Sequence, residues 1–176
     1  MIDFDHGTTS GLLPYIKKLG NNLVGCEIGV WEGRNLAYML HNAPEIATMY
    51  AVDPWQGYLD WSGDVPQEVL NWIKPLAMAR ISYFPNRVQV VEKNSKDALP
   101  EIPELDFIFI DGDHSFETVM EDLQMYYPRV KTGGIFSGHD WSLPEVNRAL
   151  LKFREDNNLE GELILCETDV WFWYKS

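Results

Sequence analysis

Leu23-Val24-Gly25-Cys26-Glu27-Ile28-Gly29-Val30-Trp31-Glu32-Gly33-Arg34-Asn35 is the stretch that decides the fold. It starts as a near-continuous apolar run, Leu23–Val30, and breaks into glycine-bearing, polar punctuation. Leu36, Met39 and Leu40 then fall on one helical face, and Asn42-Ala43-Pro44 closes that segment. An apolar strand passing through glycines into an amphipathic helix is the repeating unit of a parallel sheet covered on both faces.

The same alternation recurs downstream. Met49–Val52, Val88–Val91, Leu105–Ile110 and Gly134–Ser137 are further apolar runs, each followed by polar or glycine residues and then helical spacing. Val119, Leu123 and Tyr126/Tyr127 repeat at three-to-four spacing until Pro128, and Gly133-Gly134 reads as the turn out. Pro144 suits a first helical position, with Val146, Leu150, Leu151 and Phe153 on the face that follows. In the tail, Glu162–Cys166 and Val170–Tyr174 are strand-like and separated only by Glu167-Thr168-Asp169. So short a connection permits a hairpin but no parallel crossover, and the sheet should end in an antiparallel pair. Gln56–Pro66 has no clear period and reads as a mobile loop near a strand end. With no repeat or linker, residues 1–176 are taken as a single domain.

Composition narrows the function. Against 27 Asp and Glu stand 14 Lys and Arg, a net charge of −13. No basic stripe is present to neutralise phosphates, so nucleic acid is not an expected partner. No apolar run is long enough to span a bilayer and no leader pattern opens the chain, so neither is a membrane. A hydrophobic share of 45% with 13% aromatics excludes disorder. Cys26 and Cys166 both lie in apolar stretches and read as small core residues of a reducing, cytoplasmic compartment.

In an open parallel sheet, ligands bind beyond the carboxyl ends of the strands, and those ends are polar here. Gly29 and Gly33 allow a tight turn and close ligand approach, while Asn35 could begin the next helix. The E-x-G-x-x-x-G spacing is neither a dinucleotide fingerprint nor a phosphate loop, and it competes with a plain strand-to-helix turn. Asp53, some twenty residues after Gly33, is placed to accept hydrogen bonds from ribose hydroxyls; its competing reading is a turn-forming Asp-Pro pair.

Glu27-Ile-Gly-Val-Trp-Glu-Gly33, Val52-Asp53-Pro-Trp55, Ile110-Asp-Gly-Asp-His114 and Gly133-Gly-Ile-Phe-Ser-Gly-His-Asp140 occur in that order. On them the chain resembles class I, Rossmann-like S-adenosylmethionine-dependent methyltransferases. It is most similar to the methyltransferase domain 24 group, whose relatives include metal-dependent O-methyltransferases of catechols and sugars. The resemblance implies a doubly wound α/β fold: a mostly parallel seven-stranded sheet of order 3-2-1-4-5-7-6, an antiparallel last strand, and helices on both faces. It also implies S-adenosylmethionine as cofactor. Glu27, Gly29 and Gly33 would line its methionine end, Asp53 would hold the ribose, and Trp55 would lie by the sugar or adenine. Asn94 and Ser95 would follow the adenine edge, and Asp111 would face the cofactor amine or a metal.

Asp111 and the His139-Asp140 pair follow strands expected to be neighbours. Asp111, His139 and Asp140 are therefore candidate ligands for a divalent metal, Mg²⁺, Mn²⁺ or another, since hard cations favour carboxylate oxygens. His139 stands where metal-dependent relatives carry an acid, and histidine suits Zn²⁺, Fe²⁺ or Mn²⁺ better than Mg²⁺. His114 is the candidate general base, with His139 as second catalytic histidine; an ordinary imidazole accepts a proton at cellular pH. The expected reaction is methyl transfer to a small-molecule hydroxyl. Two alternatives stay open: a metal-dependent hydrolase or oxygenase using the Asp/His cluster, and a non-catalytic cofactor-binding module. Tyr58, Trp61, Trp72 and Trp141 could wall an acceptor site or cover the core. The aromatic closing strand Val170–Tyr174 is structural or, as a minority reading, a homodimer interface.

Overall fold

In the computed structural model, which describes residues 6–60 and 63–176, a 3-10 turn at Thr8–Ser10 and α1 (Leu13–Lys17) precede the first strand. There follow β1 (Leu23–Ile28), α2 (Arg34–Asn42), β2 (Ile46–Val52), β3 (Tyr58–Asp60), β4 (Gly63–Val65), α3 (Gln67–Ile81) and β5 (Val88–Val91). The second half carries α4 (Ser95–Ala98), β6 (Leu105–Ile110), α5 (Phe116–Tyr126), β7 (Val130–Gly138), α6 (Pro144–Asp156), β8 (Ile164–Leu165) and β9 (Trp171–Tyr174).

Seven strands join in one sheet, ordered β5-β2-β1-β6-β7-β9-β8. Counted within that sheet, this is the expected 3-2-1-4-5-7-6. β1 runs parallel to β2 and β6, pairing Glu27 with Ala51 and Phe109. β9 runs antiparallel to both β7 and β8. Cys166 N–H donates to the Val170 carbonyl at 2.8 Å, closing the tail hairpin that the three-residue connection requires.

Alternating side chains of the central strands feed two cores. Phe107 and Phe109 pack on one face with Leu36, Met39, Leu40 and Phe172. Ile108 and Ile110 pack on the other with Val119, Leu123, Leu150, Phe153, Trp171 and Trp173. Trp171 and Trp173 are fully buried, which makes the closing strand structural. Each such ring contributes on the order of 2–3 kcal/mol by burial. Pro144 opens α6 at its first turn, where no amide hydrogen is needed. Cys26 and Cys166 are both free thiols; Cys26 is buried, whereas Cys166 is only half-buried.

Two local readings change, and one helix has no counterpart in the sequence reading. Gln56–Pro66 is not irregular throughout: β3 and β4 pair antiparallel, Tyr58 with Val65 and Asp60 with Gly63. Gly133-Gly134 does not turn out of the strand but lies inside β7, where the register with β6 shifts. A β-carbon on Gly134 would sit 2.6 Å from the Asp106 carbonyl oxygen, so the strands approach too closely there for a side chain. Finally, the 15-residue α3 carries Pro75 inside it and buries only Leu70 and Ala77 fully, so its apolar residues set no clean stripe. Because β1, β2, β5, β6 and β7 are mutually parallel, their carboxyl ends all open on one side of the sheet.

Candidate active site

At those ends lies a cavity of about 680 Å³, within the range of small-molecule sites. Glu27, Gly29, Asp53, Asn94, Ser95, Asp111, His114, His139 and Asp140 all line it. Gly33 and Trp55 do not.

Gly33 serves the chain instead: it caps α2 with φ +73°, and a β-carbon there would lie 3.2 Å from the Ala77 backbone. Trp55 is 3% exposed, packs in the core, and donates its indole N–H to the Trp31 carbonyl at 2.8 Å. The ring is therefore turned into the core and away from the cavity, where the sugar is expected beside it. Gly29 does line the cavity, yet what forces glycine there is protein: a β-carbon would collide with the Asp111 carbonyl.

Glu27 is 1% exposed. One oxygen accepts a 3.0 Å hydrogen bond from Asn35 Nδ2, while Oε2 has no partner. Asn35 therefore does not start the helix by capping it; its carbonyl oxygen accepts from both Thr9 N at 3.0 Å and Thr9 Oγ at 2.8 Å. Through this bridge the segment before α1 is fastened to Glu27, and Gly7 and Thr8 join the cavity wall. Nothing in the spacing of the first ten residues signals that role. Asp53 accepts from the backbone amides of Trp31 at 2.8 Å and Trp55 at 2.7 Å, and from that of Val30. Both tryptophans have positive φ, 52° and 43°, so Asp53 holds two strained turns. Asn94 caps α4 by accepting from Asp97 N at 2.9 Å.

After β6 and β7 the side chains form one network. His114 Nε2 lies 2.8 Å from Asp140 Oδ2. His139 Nδ1 lies 3.2 Å from Asp140 Oδ1 and 3.6 Å from Asp111 Oδ1, and its Nε2 donates to the Thr168 carbonyl at 3.0 Å. Asp111, His139 and Asp140 bring their ligand atoms within 4.8 Å of one another. Asp113 accepts from Ser115 N at 2.7 Å and shapes the turn into α5.

A family model described as a methyltransferase domain, methyltransferase domain 24, matches residues 26–141. The chain belongs to that family. This methyltransferase domain is 23% identical to mycinamicin III 3''-O-methyltransferase of Micromonospora griseorubida, over 98% of its own length and 81% of that protein. An uncharacterized protein of Acanthamoeba polyphaga mimivirus is 29% identical over 142 residues, 73% of this chain and 59% of that protein. Among solved structures, the O-methyltransferase NovP superposes with a TM-score of 0.66 at 22% identity, covering 94% of this chain and 80% of that one. At such identity the likeness concerns the fold.

The methyltransferase domain's aromatics divide. Tyr58 lines the cavity; Trp72, 80% exposed on α3, and Trp141 do not, and Trp61 lies outside the described residues. Trp31, unassigned by sequence reasoning, lines the cavity and is 37% exposed. No helix among the described residues is long and apolar enough to cross a membrane.

Burial sets the electrostatics. It drives Glu27 up to about 8, against the Asn35 hydrogen bond and with help from the Asp111 and Asp53 charges. Asp53 and Asp111 are raised too, chiefly by the same desolvation. Burial also opposes the charged form of His139, but the Asp140 hydrogen bond and the Asp111 and Asp140 charges outweigh it and lift the ring to about 9. Burial likewise works against ionised Asp140, yet both histidines hold it well below the usual carboxylate range.

The linkage has one sign above the ordinary carboxylate range. A raised carboxyl keeps in the folded state a proton that the unfolded chain has released, so Glu27 withdraws stability as pH rises from about 4.5 toward 8. The raised His139 acts alike, its contribution being complete below about 6.5 and lost through about 9. Asp140 opposes this only in acid. The unliganded protein should therefore melt at higher temperature near pH 5.5 than near pH 8.5, and Glu27→Gln should flatten the profile most between about pH 6 and 8. An unchanged slope in Glu27→Gln would show that this carboxyl is not protonated in the folded state.

Proposed function

We propose that this domain transfers the methyl group of S-adenosylmethionine to a hydroxyl oxygen of a small-molecule acceptor. The observation that carries the reading is the unpartnered Oε2 of buried Glu27, opening on the same cavity as the Asp111–His139–Asp140–His114 network. A buried carboxylate oxygen without a partner is costly, and a cationic ammonium supplies what it lacks. Family membership and the likeness to mycinamicin III 3''-O-methyltransferase support a hydroxyl acceptor.

When bound, S-adenosylmethionine supplies a sulfonium-activated methyl group open to in-line attack. The protein's part is alignment, exclusion of water and removal of the acceptor proton. Glu27 would take the amino group and Asp53, which lines the same cavity, the ribose hydroxyls. Between the histidines, His114 suits the base: Asp140 Oδ2 orients its Nε2 at 2.8 Å and stabilises the ring once it has gained the acceptor's proton. His139 suits it poorly, because its neighbouring carboxylates already favour the imidazolium.

His139 instead fits a ligand role beside Asp111 and Asp140. Its Nε2–H is fixed by the Thr168 carbonyl, the usual support of a metal-bound imidazole, which turns Nδ1 toward the two carboxylates. Separations of 3.2 and 3.6 Å from Nδ1 to those oxygens compare with the ~3 Å edge of an octahedron with ~2.1 Å bonds. A divalent cation held there would lower the pKa of an acceptor hydroxyl.

Isothermal titration with S-adenosylhomocysteine, with and without Mn²⁺, tests the reading. Binding in the micromolar range is expected, and absence of binding at millimolar ligand would sink it.

A further inference from the structure

Trp72, 80% exposed on α3, belongs to neither the cavity nor the core. It stands in a row. Val69, Trp72, Leu76 and Ala79 follow one another at three- and four-residue spacing and are all exposed, and Tyr83, also exposed, continues the row past the helix end. The opposite side of the same helix packs inward: Leu70 and Ala77 are buried, and Ile73 and Met78 rest half-buried on the core. α3 is thus apolar on both sides, which is why it shows no single stripe, and a helix apolar all round is ordinarily one that is covered all round. Monomers rarely leave so much apolar surface in one patch.

The spacing of the row says what fits it. Alternating steps of three and four make the seam of two packed helices. Run antiparallel against a copy of itself, about a two-fold axis near Leu76, the row sets Trp72 against the partner's Ala79 and Val69 against the partner's Tyr83. The largest side chain then meets the smallest. Charge permits the pairing. The net −13 of the chain opposes self-association, but Gln67–Tyr83 holds one acid, Glu68, against Lys74 and Arg80, and those two bases already pair with Glu92 and Glu32. No spare basic cluster is left there to recruit an anionic lipid surface. Trp72 alone offers on the order of 200 Å². One face of a 15-residue helix nonetheless stays below the ~800 Å² per partner of a standard interface, so the contact is a weak one.

We propose that the outer face of α3 is an interaction surface for α3 of a second copy of this chain, packed antiparallel. The closing strand is not that surface, since its Trp171 and Trp173 are buried. α3 walls the cavity through Leu70, and its Arg80 Nη1 donates to the Glu32 carbonyl at 2.7 Å in the loop after β1. The second copy therefore sits behind the helix that walls the site.

Sedimentation velocity from about 1 to about 300 µM tests this, with a monomer–dimer dissociation constant of about 10 to 100 µM expected for the wild type. Trp72→Glu should weaken the dimer at least about tenfold, and at about 1 µM its melting temperature should match the wild type's, because the side chain is exposed in the monomer. Leu151→Glu, a comparable change on a half-exposed leucine of α6, should leave the dimer intact. A wild type that stays monomeric throughout would leave the face to another occupant and overturn the proposal. So would a Trp72→Glu dimer as tight as the wild type's. Equal weakening by both variants would report added charge alone, and would overturn it too.

Discussion

Asp140→Asn should lower kcat by two to four orders of magnitude while S-adenosylhomocysteine affinity stays within about threefold. Asp140 is the pivot of the network, meeting His114 at 2.8 Å and His139 at 3.2 Å. Its φ is +61°, a left-handed conformation that asparagine adopts about as readily, so the replacement preserves shape and removes charge. Two consequences follow together. In the proposed reading, protonated His114 loses the carboxylate that would stabilise it, and the candidate cation site loses one of its two carboxylates. In the same reading the nucleoside is held by Glu27 and Asp53, neither of which touches Asp140. Single-turnover kinetics with the natural acceptor, or a surrogate alcohol, separates the two quantities. A kcat within about tenfold of wild type would remove His114–Asp140 from the chemistry. A large loss of affinity would place Asp140 in the nucleoside site instead.

Gly29→Ala should be the most damaging single-methyl change in the molecule. The backbone at Gly29 has φ +84°, and an added β-carbon would strike the Asp111 carbonyl and lie 2.8 Å from Gly112 Cα. Neither segment can yield cheaply. Gly29 N donates to the Val52 carbonyl at 2.9 Å and Asp111 N to the Ile28 carbonyl at 2.8 Å, so both are still tied into the sheet. A loss of about 4 kcal/mol or more is expected, lowering the melting temperature by roughly 10 °C for a chain of this size. Gly33→Ala, with left-handed φ but a milder 3.2 Å contact to Ala77, should cost less, about 1–2 kcal/mol. If differential scanning calorimetry showed equal effects for the two, backbone conformation alone would account for Gly29, and the close approach of β1 and β6 would carry no weight.

Strand order and the antiparallel ending were legible because each depends on a pattern that burial enforces. Phe107–Ile110 must be apolar on both faces, and three residues after Cys166 cannot carry a parallel crossover. Acids and histidines at strand ends were legible for a similar reason: a polar residue ending a buried strand has few places to go but the crevice. Direction was not. Trp55 follows a strand end just as Asp53 does, yet positive φ turns it inward to the Trp31 carbonyl, and no residue type announces that turn. Asp122, buried on α5 and lining the cavity, was hidden because an acid in an amphipathic helix is ordinarily read as the solvated face. Its place among Val119, Leu123 and Tyr126 was the available signal. The β3–β4 pair escaped because its strands are only three residues each, and α3 because it is covered on too little of its surface to impose a period. Thr9 and Asn35 are paired across 26 positions by a single side-chain oxygen, which no local pattern encodes.

The central claim is that one cavity beyond β1, β2, β5, β6 and β7 binds the methyl donor, with Glu27 as its ammonium partner. A crystal structure of the protein with S-adenosylhomocysteine is the most direct measurement. The amino group should lie within hydrogen-bond distance of Glu27 Oε2, and the ribose hydroxyls against Asp53. Nucleoside density elsewhere in the molecule, or an amino group turned away from Glu27, would contradict the account.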